Sequence, residues 1–286
     1  MKLIDGKKIA SDILNDLAAK IFVFPRKIGL AVLMVGDNPA SDAYVRMKKK
    51  ACAQLGIESL TERLDAGISS EALLERIDVL NRTPSIDGIL VQLPLPSHFD
   101  PQIICRAIDP TKDVDGFHPM NMGKLLLGEE GGLIPCTPHG IQLLLEHSKI
   151  EVAGKHVVIV GRSNIVGKPL AALLVQKRKG CNATVTIAHS QSNYLSDITK
   201  SADILIAAIG QPRFITNKMV KPGAVVVDVG INRVQNEDGS VSLIGDVDFS
   251  SVAPIASWIT PVPGGVGPMT IALLMKNTYE SAIRRG

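Results

Sequence analysis

The sequence predicts an α/β fold in two domains, with the strands of each pairing in parallel. Three observations predict it. Strand-like and helix-period segments alternate from the start of the chain. At 286 residues the chain is too long for one ordinary core. The apolar run His156–Val160 passes directly into a glycine turn, a helix-period segment and a further apolar run, which is the strand–turn–helix–strand pattern of a dinucleotide-binding βαβ unit. The second domain is therefore expected to be Rossmann-type on a parallel sheet, the first an α/β catalytic domain, with a cleft between them.

Taken in order, Ile9 to Ile21 reads as a helix and Ile28 to Val35 as a buried strand. A helix follows over about residues 40–55, then a strand from Glu58 to Leu64 and a helix from Ser70 to Leu80, with Ser69 or Ser70 near its start. The strand Ile86–Gln92 ends at two prolines. Pro135–Pro138 punctuates the chain before a helix from about His139 to His147, read as the crossing into the second domain. There, Pro169 to Lys177 reads as a helix opened by proline, a favoured first position. Ala183–Ala188, Ile204–Ile209 and Ala224–Val229 are further short strands, and a last helix from about Met269 to Ile283 returns to the first domain. The domains are thus expected at residues 1–140 plus 269–286, and at 141–268.

Composition excludes several function classes. With 45% hydrophobic and 21% charged residues the chain can bury cores. A net charge of +3 offers no concentrated basic stripe for nucleic acid. Cys52, Cys105, Cys136 and Cys181 show no metal-ligand spacing, so no metal is expected and reduced thiols are. No secretory leader or membrane-length apolar run is read, and a cytoplasmic location is expected.

The chemistry concentrates in a few segments. Tyr44 and Lys48 are four residues apart on one helix and share a face, so an aromatic ring can hold a flat substrate beside an amine that moves protons. Of Lys48, Lys49 and Lys50 only one can look that way; a solvated helix lysine is the plain alternative. Gln92, at a strand's carboxyl end, can hydrogen-bond Lys48 or a substrate. Lys112-Asp-Val-Asp-Gly116 supplies carboxylates, Asp115 as a grip for an amidine-like ring edge and Asp113 more readily as a turn cap. The Pro261–Pro268 loop alternates stiff and permissive residues, and Pro263, Gly264 and Gly265 are read as lining the cleft.

For the dinucleotide, the turn Gly161, Arg162, Ser163 through Val166 and Gly167 presents backbone N–H groups to a phosphate. No acidic residue stands between Glu151 and Asp197, where one would hold the ribose hydroxyls of NAD. The second strand ends in His189 and Ser190, with Arg162 in the turn; an arginine and a serine there suit a 2′-phosphate instead, so NADP is expected over NAD.

The motifs Ser41–Lys48, Val91–Pro96, Lys112–Gly116, Gly161–Pro169, Lys221–Gly223 with Asp228–Asn232, Gly245–Asp248 and Pro261–Thr270 together resemble the methylenetetrahydrofolate dehydrogenase/cyclohydrolase family, over essentially the whole chain. The resemblance implies NADP-dependent oxidation of 5,10-methylenetetrahydrofolate to the methenyl form, then hydrolysis to 10-formyltetrahydrofolate. It implies that Lys48 is the acid/base of the hydrolytic half, that Tyr44 packs on the folate, that Gln92 tunes the lysine and that Asp115 grips the pterin. Ile209, Gly210, Ile231 and Thr270 are implied to complete the cofactor site, and the assembly to be a homodimer through the nucleotide domain. The rivals are a monofunctional NAD-dependent dehydrogenase, another oxidoreductase acting on a small acid, and a ligand-binding regulator without catalysis. The first is disfavoured by Tyr44, Lys48 and Gln92 together, the second leaves the Pro261–Pro268 loop unexplained, and ligand binding without turnover would favour the third.

Overall fold

A computed structural model describes residues 1–235 and 239–286. The chain runs β1 (Lys2–Leu3), α1 (Gly6–Phe22), β2 (Gly29–Val35), α2 (Pro39–Leu55), β3 (Glu58–Leu64), α3 (Ser70–Arg82) and β4 (Gly88–Val91). Three helices follow, α4 (Pro101–Ala107), α5 (Pro119–Leu127) and α6 (Cys136–His147). Then come β5 (His156–Val160), α7 (Gly167–Leu174), β6 (Thr184–Ala188), α8 (Leu195–Lys200), β7 (Ile204–Ala207) and β8 (Val225–Asp228). A hairpin of β9 (Asn232–Gln235) and β10 (Val241–Ile244), α9 (Phe249–Val252), β11 (Trp258–Ile259) and α10 (Val266–Arg284) complete it.

The chain divides into two compact units, Ser11–Cys136 with Ile271–Gly286, and Met1–Ala10 with Thr137–Thr270. The first contains a three-stranded parallel sheet in the order β3-β2-β4. Its central strand is buried along its whole length, as a parallel strand covered on both faces must be. Leu33, Leu73, Ile77, Ile89 and Ile104 form its core, each buried aliphatic contributing about 1.5–3 kcal/mol. The outer edge of β4 is not bare: Ile89 bridges in parallel to Asp113, and its N–H donates to the Lys112 carbonyl at 2.8 Å. The acidic motif thus lies alongside β4, just before Gln92.

The second unit is a six-stranded sheet in the order β1-β11-β8-β7-β5-β6, parallel at every pairing. Val158, Leu205, Val226, Val247 and Ile259 anchor its core. The chain winds from β5 to β6 on one side and on to β7 on the other, so the order reverses at β5. The carboxyl ends of β5 and β7 therefore flank a topological switch point, where such sheets take their ligands.

By their contacts, residues 1–10 group with the nucleotide-type unit, because Lys2 and Leu3 pair with Trp258 and Ile259 at its edge. Two expectations need correction. Helix α7 starts at Gly167, so Pro169 is its third residue and not its first; a proline is tolerated throughout that first turn, whose N–H groups lack helical partners. Helices α4 and α5 were not anticipated, although each opens on a proline behind a capping side chain: Asp100 accepts from the Gln102 N–H and His118 from the Met120 N–H.

Candidate active site

In the first unit, α2 follows the carboxyl end of β2 and turns one of its three consecutive lysines inward. Lys48 is 8% exposed while Lys49 and Lys50 are exposed. The Lys48 Nζ donates to Gln92 Oε1 at 2.9 Å. Gln92 is held in turn by its own N–H on the Leu33 carbonyl (2.8 Å) and by its amide on the Leu93 carbonyl (2.7 Å). Tyr44, one turn earlier, is half-buried, and that burial raises its phenol pKa.

The two aspartates of the acidic motif part company. Asp113 is buried and accepts from the His118 N–H at 2.7 Å and from Asn121 Nδ2 at 2.9 Å, the bonding of a turn organiser. Asp115 receives no hydrogen bond among the described residues and keeps a partial opening to solvent. Surrounding protein raises its carboxyl above the usual carboxylate range, with the charge of Lys48 opposing that rise. The backbone between them is clamped: the Val114 carbonyl accepts from Cys136 Sγ (3.3 Å) and from Asn277 Nδ2 (2.8 Å). Lys112 points away from this group. Its Nζ donates to the Leu80, Asn81 and Thr83 carbonyls at 2.7–3.0 Å, closing the end of α3.

In the second unit, Gly161 follows β5 with φ +130°, and a Cβ there would lie 2.1 Å from the Ala208 carbonyl. The turn is therefore open to glycine alone and leaves backbone accessible at the switch point. Ser163 Oγ accepts from the Val166 and Gly167 N–H groups at 3.1 and 3.4 Å, bracing the start of α7. Beyond β6, His189 Nδ1 accepts from the Gln191 N–H at 3.2 Å, which leaves the ring proton on Nε2. That Nε2 stands 3.4 Å from Arg162 Nη1. Two N–H donors thus converge without an acceptor between them, and Ser190 beside them is exposed. The arrangement fits an anionic group, and the glycine turn fits a dinucleotide.

Ile209 and Gly210 follow β7, and their N–H groups both donate to Asp246 Oδ2, at 2.6 and 2.9 Å. Ile231 is exposed at the end of β8, with its Cδ1 near Gly267. Thr270 Oγ1 bonds Thr137 Oγ1 at 2.9 Å. Pro263, Gly264 and Gly265 fall in this unit too, where the Gly264 carbonyl accepts from the Lys7 N–H at 3.1 Å. The sequence reading gave no role to Asp228 and Asp246, although both lie in segments singled out as motifs. Their signal is an acidic residue at the end of an apolar strand, and another between glycine and valine. Their meaning depends on partners about 18 residues away.

Residues 4–115 match the model of the tetrahydrofolate dehydrogenase/cyclohydrolase catalytic domain, and residues 135–286 that of the tetrahydrofolate dehydrogenase/cyclohydrolase NAD(P)-binding domain. The chain belongs to this family. Among curated members it is 53% identical to the bifunctional protein FolD of Prosthecochloris aestuarii, over 99% of both chains. Among solved members it resembles the bifunctional FolD of Campylobacter jejuni (TM-score 0.94, 47% identity, 100% of both chains). It also resembles the Trypanosoma brucei FolD complexed with NADP cofactor and inhibitor (TM-score 0.92, 37% identity, 99% of this chain and 97% of that one). The two matched models agree with the two-domain α/β fold and the nucleotide-binding half expected from sequence. Among the described residues, no helix is long and apolar enough to cross a membrane.

Proposed function

We propose that the chain is a bifunctional folate enzyme. It oxidises 5,10-methylenetetrahydrofolate to the 5,10-methenyl cation with NADP, and hydrolyses that cation to 10-formyltetrahydrofolate. The observation that carries the reading is the buried Lys48 on Gln92, with Asp115 in its field, inside the part of the chain that matches the catalytic domain. When bound, the nicotinamide supplies the hydride acceptor. The protein's share of that step is to place the methylene carbon, with the Tyr44 ring packing on the flat pterin and Asp115 accepting from its N–H edge. In the hydrolytic step water adds to the methenyl carbon with loss of a proton. The bond from that carbon to N5 then breaks as the carbinol proton passes to N5. Lys48 moves that proton, and Gln92 Oε1 fixes its Nζ.

The converging donors of Arg162 and His189 support NADP over NAD, as does the lack of an acidic residue from Val152 to Ser196. The reading includes a cytoplasmic homodimer joined through the nucleotide-binding unit. Free, mostly buried thiols support the compartment, and the partly exposed edge strand β6 supports the assembly. The test is spectrophotometric, mixing protein with 5,10-methylenetetrahydrofolate and NADP, then supplying the methenyl form alone. NADPH formation with accelerated methenyl decay is expected. NADPH without accelerated decay would remove the role given to Lys48, and silence in both assays from folded protein would leave a binding protein.

A further inference from the structure

Asp228 and Asp246 form a reciprocal clasp. Asp228 accepts from the N–H groups of Gly230 (3.0 Å), Asp246 (2.9 Å) and Val247 (2.9 Å). Asp246, fully buried, accepts from Ile209 N (2.6 Å), Gly210 N (2.9 Å) and Asn232 Nδ2 (2.9 Å). Each carboxyl fills the space of a missing side chain: a Cβ on Gly230 would meet Asp246 Oδ1 at 2.2 Å, and one on Gly245 would meet Asp228 Oδ2 at 1.8 Å. Every one of these partners is an N–H donor, the bonding of two carboxylates. No cation pairs with either among the described residues. The clasp ties the loops after β7 and β8, which carry Ile209, Gly210 and Ile231 at the ligand end of the sheet.

We propose that this clasp both positions those loops and sets the redox preference of the site, its buried negative charge favouring the oxidised, cationic nicotinamide over the neutral reduced one. The inference rests on the NADP reading above. Burial, with the charge of Asp246 adding to it, raises the Asp228 pKa to about 6 while the backbone donors oppose the rise. The other groups bonded to Asp228, Gly230, Val247 and Thr260, are neutral. Part of the charge is therefore withdrawn on mild acidification.

The test is to measure the dissociation constants of NADP+ and NADPH by calorimetry, for the wild type and Asp246→Asn, with far-ultraviolet dichroism as the folding control. Asp246→Asn is expected to weaken NADP+ binding about fivefold more than NADPH binding. Equal weakening of both would reduce the clasp to a structural brace and overturn the charge role. If Asp246→Asn fails to fold, the wild type decides, because its NADP+ to NADPH preference should narrow as pH falls from about 7.5 to about 5. The 2′-phosphate titrates in both ligands and cancels in the ratio. A preference constant with pH overturns the proposal. Wild type that binds neither form would instead overturn the cofactor reading.

Discussion

Two lysines are buried within the first unit, and they do opposite things. Lys112, 2% exposed, gives its three N–H bonds to three backbone carbonyls. Lys48, 8% exposed, has a single hydrogen-bond partner among the described residues, the Gln92 amide oxygen. The neighbouring aspartates repeat the contrast, Asp113 with two donors and Asp115 with none. A saturated polar group fastens the chain. An unsaturated one, held in place by its neighbours, is left with bonds to offer a substrate. The acidic motif interleaves both kinds, so the fastening of Lys112 and Asp113 is what aims Asp115.

The contrast can be broken by mutation. The largest effect belongs to Lys48→Met, which should slow methenyl hydrolysis about 10²–10⁴-fold with the thermal midpoint nearly unchanged; near-normal hydrolysis would end its assigned role. Lys112→Met should do the reverse. It takes the ammonium away from one buried and two partly buried carbonyls and should cost about 1–3 kcal/mol in urea unfolding, so a variant of wild-type stability would show the ammonium to be dispensable. Asp115→Ala should raise the folate KM about 10–100-fold with NADP affinity unchanged, and parallel losses would indicate disturbed folding instead. Asp113→Ala should lose about 1–3 kcal/mol of stability, with a smaller effect on folate binding than Asp115→Ala; a larger one would reverse their roles.

A further effect is one of pH. Burial, aided by the charge of Arg285, lowers the Lys112 pKa from 10.5 to about 8, against the opposing charges of Asp109 and Asp87. Between those values the unfolded chain holds a proton that the native state has released. This group's contribution to stability therefore rises with pH across that window. Urea midpoints for wild type and Lys112→Met should draw apart from pH 8 to pH 10, and parallel curves would refute the shift.

Much of this was legible in the sequence. The helical spacing of Tyr44 and Lys48 put them on one face, and the glycine turn after His156–Val160 announced the nucleotide unit. Which of three lysines faces inward is a matter of helix phase, settled only when α2 packs. Asp113 reads from sequence as the readier turn cap and Asp115 as the grip, but the donors that fasten Asp113, from His118 and Asn121, come into view only in the fold. The two-residue strands β1 and β11 carry no local period at all. Asp228 and Asp246 were visible as residues but not as a pair, because the loop geometry that joins them is a property of the sheet.

The pairing of β1 with β11 has a consequence for the order of folding. Lys2 pairs with Trp258 and Leu3 with Ile259, so the partners of this two-residue strand lie far along the chain from it. Contacts of such long sequence separation are slow to close. Strands β5, β6 and β7 follow one another closely and pair side by side, so the sheet can begin to assemble around β5, and β1 docks on its edge only after β11 is in place.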